Sequence, residues 1–217
     1  MATHAAYVFD AYGTLFDVHS AVARHRALVG PEAERLSQLW RVKQLEYSWV
    51  RSLMGAYRDF EALTREALDF AAAQCGGLSA EARDALLGAY QTLDAYADAK
   101  PLLARLKAEG KRTAILSNGS PAMLQSAVSS AGLAPLLDAV LSVDGLRTFK
   151  TAPAVYALVG EKFGVAPSAV SFQSSNRWDI AGAAKAGFHT VWVNRGGAPD
   201  EYADLPPAKT VGSLSEV

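Results

Sequence analysis

Apolar residues follow two rhythms along the chain. Short runs at Ala6–Phe9, Arg112–Leu116, Ala139–Leu141, Val170–Phe172 and Thr190–Val193 are rich in Val, Ile, Phe or Leu, and each gives way to a small or polar residue. Runs of this length predict buried strands. Between the later runs the spacing lengthens to the helical period. One segment has Pro101 early, Leu102, Leu103 and Leu106 on one face and Gly110 as its stop; the next runs from Pro121 to Ala131, before Gly132. A third has Pro153 near its start, Val155, Leu158 and Val159 inside it and Gly164 behind Phe163; a fourth spans Ile180–Ala186, ending at Gly187. Proline in a first turn and glycine just past a last turn fit helix-end chemistry. Strand–helix alternation of this kind predicts an α/β fold with a doubly wound, Rossmann-like parallel sheet.

Residues 18–98 break the alternation. Leu36, Leu39, Trp40, Leu45 and Trp49, then Leu63, Ala67 and Phe70, then Leu86, Leu87 and Tyr90 keep helical spacing, with no strand signal among them. The expectation is a helical cap inserted after the first strand (residues 18–98) over a core built from residues 1–17 and 99–217. No internal repeat, low-complexity tract or linker interrupts this division.

Composition narrows the function. At 217 residues, 50% hydrophobic and 20% charged, the chain can bury a real core. A net charge of -1 supplies no global field for nucleic acid or an anionic membrane, so a small anion would need a local cluster of donors. The single cysteine, Cys75, forms no internal disulfide and sits in an Ala-rich helical stretch, which favours packing over catalysis. Met1–Ala6 is too short and polar to lead a signal peptide, and no apolar run approaches a membrane span. A cytoplasmic protein is expected.

Four polar clusters fall where parallel sheets bind ligands, at the carboxyl ends of strands. They are Asp10-Ala11-Tyr12-Gly13-Thr14, Ser117-Asn118-Gly119, Lys150 beyond the third strand, and Gln173-Ser174-Ser175-Asn176-Arg177-Trp178-Asp179. Taken singly, each has a bland reading: Asp10 a turn or helix cap, Ser-Asn-Gly an ordinary turn, Lys150 a solvated lysine, Asp179 a first-turn residue. Together they can form a site. Lys150 would keep Asp10 ionised, and an oriented carboxylate is a nucleophile. Ser117, Asn118 and Gly119 offer donors to a carboxylate or oxyanion, and Asp179 can position or deprotonate water.

The order Asp-x-Tyr-Gly-Thr, Leu-Ser-Asn-Gly, lysine and Ser-Ser-Asn-x-x-Asp resembles the haloacid dehalogenase superfamily, and within it the L-2-haloacid dehalogenases. The cap segment Trp40–Trp49 resembles that group too, so the likeness covers nearly the whole chain. It implies that Asp10 displaces halide from C2 of a short L-2-haloacid to form an ester with inversion. Water then opens the ester, helped by Asp179, with Lys150 and Asn176 holding it. It further implies Ser117 as the carboxylate seat, Arg41 and Asn118 as the halide's receivers, and Thr14, Tyr156 and Ser174 as supports. Tyr12, Leu45, Phe60 and Trp178 would wall an apolar pocket. On spacing alone Arg41 is a surface helix arginine and the aromatics are core residues.

Phosphatases of the superfamily carry a second aspartate two residues after the nucleophile, where this chain has Tyr12. Ser174 and Asn176 stand near where a magnesium-binding acidic cluster would be expected. The implied site is therefore free of metal and cofactor. The main alternative is a phosphatase on the same fold; a degenerate fold kept for binding is another. Three departures from the group bear on substrate range: Thr151 where proline is typical, Val42 where glutamine is frequent, and Arg177 where a small residue is common, adding a cation near the site. Cap Trp and Leu residues would suit a homodimer face.

Overall fold

The computed structural model describes residues 4–217. Met1–Thr3, which belong to the expected core segment and to the leader reading, lie outside the described residues. Six strands, β1 (Ala6–Phe9), β2 (Arg112–Ser117), β3 (Ala139–Ser142), β4 (Val170–Ser174), β5 (His189–Val193) and β6 (Lys209–Val211), form one sheet in the order β3-β2-β1-β4-β5-β6. Every pairing is parallel. Ala6, Val8 and Phe9 of the central strand and all of β4 are buried, which is how a sheet covered on both faces reads.

The predicted strands are present, with edges one or two residues longer. Gln173 and Ser174 extend β4 despite their polarity, because the parallel ladder pairs Phe9 with Gln173 and the Gln173 carbonyl accepts from Asp10 N at 2.9 Å. The sixth strand was not predicted: Lys209-Thr210-Val211 is three residues long with only Val211 buried. Helices α6 (Ala99–Ala108), α7 (Pro121–Ser130), α8 (Pro153–Phe163) and α9 (Arg177–Lys185) connect the strands. The last begins three residues ahead of the expected Ile180, which puts Asp179 in its first turn.

Before α6 come five helices, α1 (Ser20–Arg24), α2 (Arg26–Val29), α3 (Ala33–Met54), α4 (Phe60–Gln74) and α5 (Ala80–Tyr90). Leu36 and Trp40 of α3 pack with Phe60, Leu63 and Leu68 of α4, and Trp40 Nε1 donates to the Thr64 carbonyl at 2.8 Å. Asp59 caps α4 by accepting from Ala62 N at 2.8 Å. Phe70, expected on the buried face, is turned outward; Cys75 ends α4 half-buried against the core. The ingoing and outgoing strands of this helical segment are hydrogen-bonded neighbours: Asp17 N donates to Asp94 O at 2.8 Å and Tyr96 N to Leu15 O at 2.9 Å. Among the described residues, no helix is long and apolar enough to cross a membrane.

Candidate active site

Strand order reverses direction beside β1, and ligands of such sheets bind in that crevice. Asp10 sits there, directly past the end of β1 and almost fully buried. A tight turn follows, in which the Ala11 carbonyl accepts from Leu15 N and Phe16 N while Gly13 takes a positive φ of 93°. That turn brings Thr14 Oγ1 back to Asp10 Oδ2 at 3.1 Å; the same hydroxyl accepts from Ser175 N at 2.8 Å. Asp10 Oδ2 also accepts from Asn176 Nδ2 at 2.7 Å and from Ser174 Oγ at 3.4 Å. Three neutral donors thus hold Oδ2. Oδ1 faces a single one, the Lys150 ammonium at 3.0 Å.

Lys150 also binds Asp179 Oδ2 at 2.7 Å, and Tyr156 Oη donates to Asp179 Oδ1 at 2.8 Å. Burial acts to lower the Lys150 pKa, but Asp10 and Asp179 outweigh it and hold the amine above its ordinary value. It stays cationic. Burial, with the nearby Asp10 charge, pushes Asp179 up to about 6 against the pull of Lys150 and Tyr156. Burial and the Asp179 carboxylate hold the Tyr156 hydroxyl proton well above its usual range, so it remains a donor.

The second cluster works partly through backbone. Buried Ser117, the last residue of β2, accepts from Gly119 N at 3.1 Å, and Asn118 Oδ1 accepts from Lys150 N at 2.9 Å. Asn118 therefore anchors the residue that carries the ammonium. The Lys150–Thr151 peptide bond is cis. A side chain at Gly119 would bring its Cβ within 2.8 Å of Tyr12 Cε2, so this turn needs glycine.

Arg41 reaches the sheet from α3. Its Nη2 donates to Tyr12 O at 3.1 Å and Asn176 Oδ1 at 3.4 Å, and its Nη1 to Gln44 Oε1 at 2.9 Å. Tyr12 lies among Phe16, Phe60 and Tyr90, with its ring stacked at 5.7 Å on Tyr90 and its buried hydroxyl without a partner. Leu45, one turn along from Arg41, and Trp178, in the first turn of α9, are half-buried and complete the periphery. Trp178 meets Trp49 edge-on at 5.3 Å.

Around Asp10 the structure thus gathers Thr14, Ser174, Asn176, Lys150, Asp179, Tyr156, Tyr12, Arg41 and Asn118, directly or through one partner. Ser117 and Phe60 flank this group, while Leu45 and Trp178 lie further out. Arg177 departs from expectation: its guanidinium turns away, with Nε on Asp200 Oδ1 at 2.5 Å and Nη2 on the carbonyls of Tyr202 and Leu205. Its charge is neutralised outside the site. Val42 is 56% exposed and faces solvent. Sequence reasoning missed Gln44, which accepts from Arg41 and donates to Thr64 and Tyr90, and Arg195, which binds Thr14 O at 3.2 Å while paired with Asp98. Gln44 lies inside α3, away from any strand end, whereas Arg195 follows β5 by two residues, at a strand end whose polar residues were not read as part of the site. Among the described residues, no group of three or more His, Cys, Asp or Glu is placed to hold a metal ion.

A buried carboxylate at the switch point is thus clamped by hydroxyl, amide and ammonium donors. The profile of haloacid dehalogenase-like hydrolases matches residues 4–187. A curated relative, (S)-2-haloacid dehalogenase 1 of Pseudomonas sp. (strain CBS-3), is 50% identical over 98% of this chain and 94% of its own length. Among solved structures, a dehalogenase with intermediate complex has a TM-score of 0.98 at 48% identity, covering 100% of this chain and 96% of its own. The L-2-haloacid dehalogenase from Xanthobacter autotrophicus with chloropropionic acid covalently bound has a TM-score of 0.90 at 40% identity, covering 98% and 96%. The chain belongs to the haloacid dehalogenase-like hydrolases and, within them, to the L-2-haloacid dehalogenases. It is a hydrolase of that group.

Proposed function

We propose that this enzyme hydrolyses short L-2-haloalkanoic acids to D-2-hydroxyacids, with inversion at C2, through an ester on Asp10 and without metal. The observation that carries this reading is the asymmetric clamp on Asp10: three neutral donors fix Oδ2, while Oδ1, facing only an ammonium, keeps lone pairs for attack. Oδ1 bonds to C2 as the carbon–halogen bond breaks and its electron pair leaves with the halide, received by Arg41 and Asn118. Ser117 and nearby backbone amides seat the substrate carboxylate. Tyr12, Leu45, Phe60 and Trp178 wall the C2 substituent, and residues 18–98 act as a cap over the reacting atoms.

Water next attacks the ester carbonyl carbon. Asp179 takes its proton, Lys150 and Asn176 hold the oxyanion, and the acyl–oxygen bond breaks as Asp179 returns the proton to the leaving C2 oxygen, which frees the hydroxyacid; the new Asp10 carboxyl then ionises. Ser174, Thr14 and Tyr156 keep the two carboxylates in position. Halide leaves without a proton, so Tyr12 in place of a general acid costs this reaction nothing. The cation on Asp10 is a side chain, and the remaining donors are neutral hydroxyl and amide groups, a set ill-suited to a hard divalent ion. Turnover that survives exhaustive chelation is expected.

A single turnover in oxygen-18 water tests the reaction class. Label should enter the Asp10 carboxylate before it enters product; label going straight into the hydroxyacid would replace the ester with direct water attack.

A further inference from the structure

Trp178 is a wall shared by two cavities. On one side, about 540 Å³ is lined by Gly13, Arg41 and Asn176, the last of which donates to Asp10. On the other, about 520 Å³ is lined by Trp49, Thr151, Pro153, Ala181, Tyr202 and Leu205, with Lys185 at its solvent-exposed rim. The outer cavity begins one peptide bond from Lys150, whose ammonium touches Asp10. Its walls are mainly apolar, and at its border Trp49 of α3 meets Trp178 edge-on. Trp49 is itself 36% exposed, so part of its indole borders solvent.

From this arrangement we infer that Trp49 and Trp178 form an aromatic gate, and that the outer cavity is a subsite for the alkyl tail of longer 2-haloacids, of about four to eight carbons. The inference rests on the haloacid reading of the Asp10 site. A tail on C2 lies against Tyr12, Leu45, Phe60 and Trp178, and of these walls Trp178 is the one that borders the outer cavity. The edge-to-face contact that resists is of a size that burying one or two methylenes outweighs. Past the gate, Pro153, Ala181, Tyr202 and Leu205 receive a methyl-ended chain, each methylene favouring binding about fourfold. Lys185 stays in water.

The test compares kcat/KM for (S)-2-bromohexanoate and (S)-2-bromopropionate in the wild type, Trp49→Ala and Leu205→Trp. Taking the ratio within each protein cancels any loss of folded enzyme. Opening the gate in Trp49→Ala should raise the hexanoate-to-propionate ratio about tenfold, and filling the cavity in Leu205→Trp should lower it about tenfold. Ratios within twofold of wild type in both variants overturn the gate. If the wild type turns over neither acid, the dehalogenase reading fails, and the subsite with it.

Discussion

The Lys150 ammonium lies 2.7 Å from Asp179 Oδ2, with both side chains sealed from solvent, and closer to Asp179 than to Asp10. Two buried carboxylates share one cation, which leaves the trio with an excess negative charge. Breaking such a pair from one side is costly, because the charge left behind has no solvent. Lys150→Met should cost about 3–5 kcal/mol in urea unfolding at neutral pH and abolish turnover. Part of the loss should return toward pH 5, as a carboxylate takes up a proton. A variant as stable as wild type at neutral pH would show that the trio is not ionised as described.

Asp179 titrates at about 6 in the folded protein, against 3.8 for an ordinary aspartate. Between those values the folded state holds more protons than the unfolded one, so this group's contribution to stability falls as pH rises through that window. Activity runs the other way, because a water-activating base must be ionised. Ester hydrolysis should slow as pH drops below about 6, and ester should accumulate on the Asp10 peptide at pH 5. Quenched-flow mass spectrometry reads this directly. A hydrolysis rate flat from pH 5 to 8 would remove Asp179 from the role of base.

Gly182, on α9, lets Tyr156 approach Asp179. A Cβ there would stand 2.9 Å from Tyr156 Cζ, and closer still to the hydroxyl that donates to Asp179. Gly182→Ala should displace that ring, destabilise the fold by about 1–3 kcal/mol and cut kcat by up to about a hundredfold, with KM little changed. Adding Tyr156→Phe should recover part of the stability, since the ring carbon at 2.9 Å remains, but not kcat. Recovery of both would show that the hydroxyl has no part in holding Asp179.

Much of this site was legible because its residues cluster at strand ends. Asp10, Ser117 and Ser174 follow apolar runs that only a strand explains, and parallel order forces such ends to one rim of the sheet. Pairwise geometry was not legible. Nothing local tells that Arg177 turns to Asp200 rather than inward, or that Gln44 holds Arg41, because those partners meet only when distant helices and loops pack. The sixth strand was missed for a simpler reason, since Lys209-Thr210-Val211 carries one buried residue and its partners lie in β5.

Substrate handedness follows from the proposed seating. With the carboxylate held near Ser117 and the halide near Arg41, one face of C2 is open to Asp10 and the alkyl group lies against Tyr12, Leu45, Phe60 and Trp178. In the other enantiomer hydrogen and alkyl exchange places, and the alkyl group meets the attacking carboxylate. A displacement of about an ångström at a reacting atom costs on the order of a hundredfold. L-2-chloropropionate should give D-lactate while the D-acid is left. Chiral chromatography of a racemic digest decides it: equal consumption of both enantiomers would refute the seating.

The hydrogen-bonded segments at residues 15–17 and 94–96 carry an implication for how such a protein can diversify. Because the two crossings already lie side by side, the chain between them closes a loop whose ends are fixed in advance. Closure entropy grows only with the logarithm of loop length, so doubling that segment would add roughly 0.6 kcal/mol. No strand of the sheet would need rethreading, and no crossover would change hand. Asp10, Lys150 and Asp179 are all encoded outside the loop, whereas Arg41, Leu45 and Phe60 are encoded within it. On the proposed mechanism, variation in the loop would retune which substrate is accepted while leaving the proposed reacting groups on an unaltered frame.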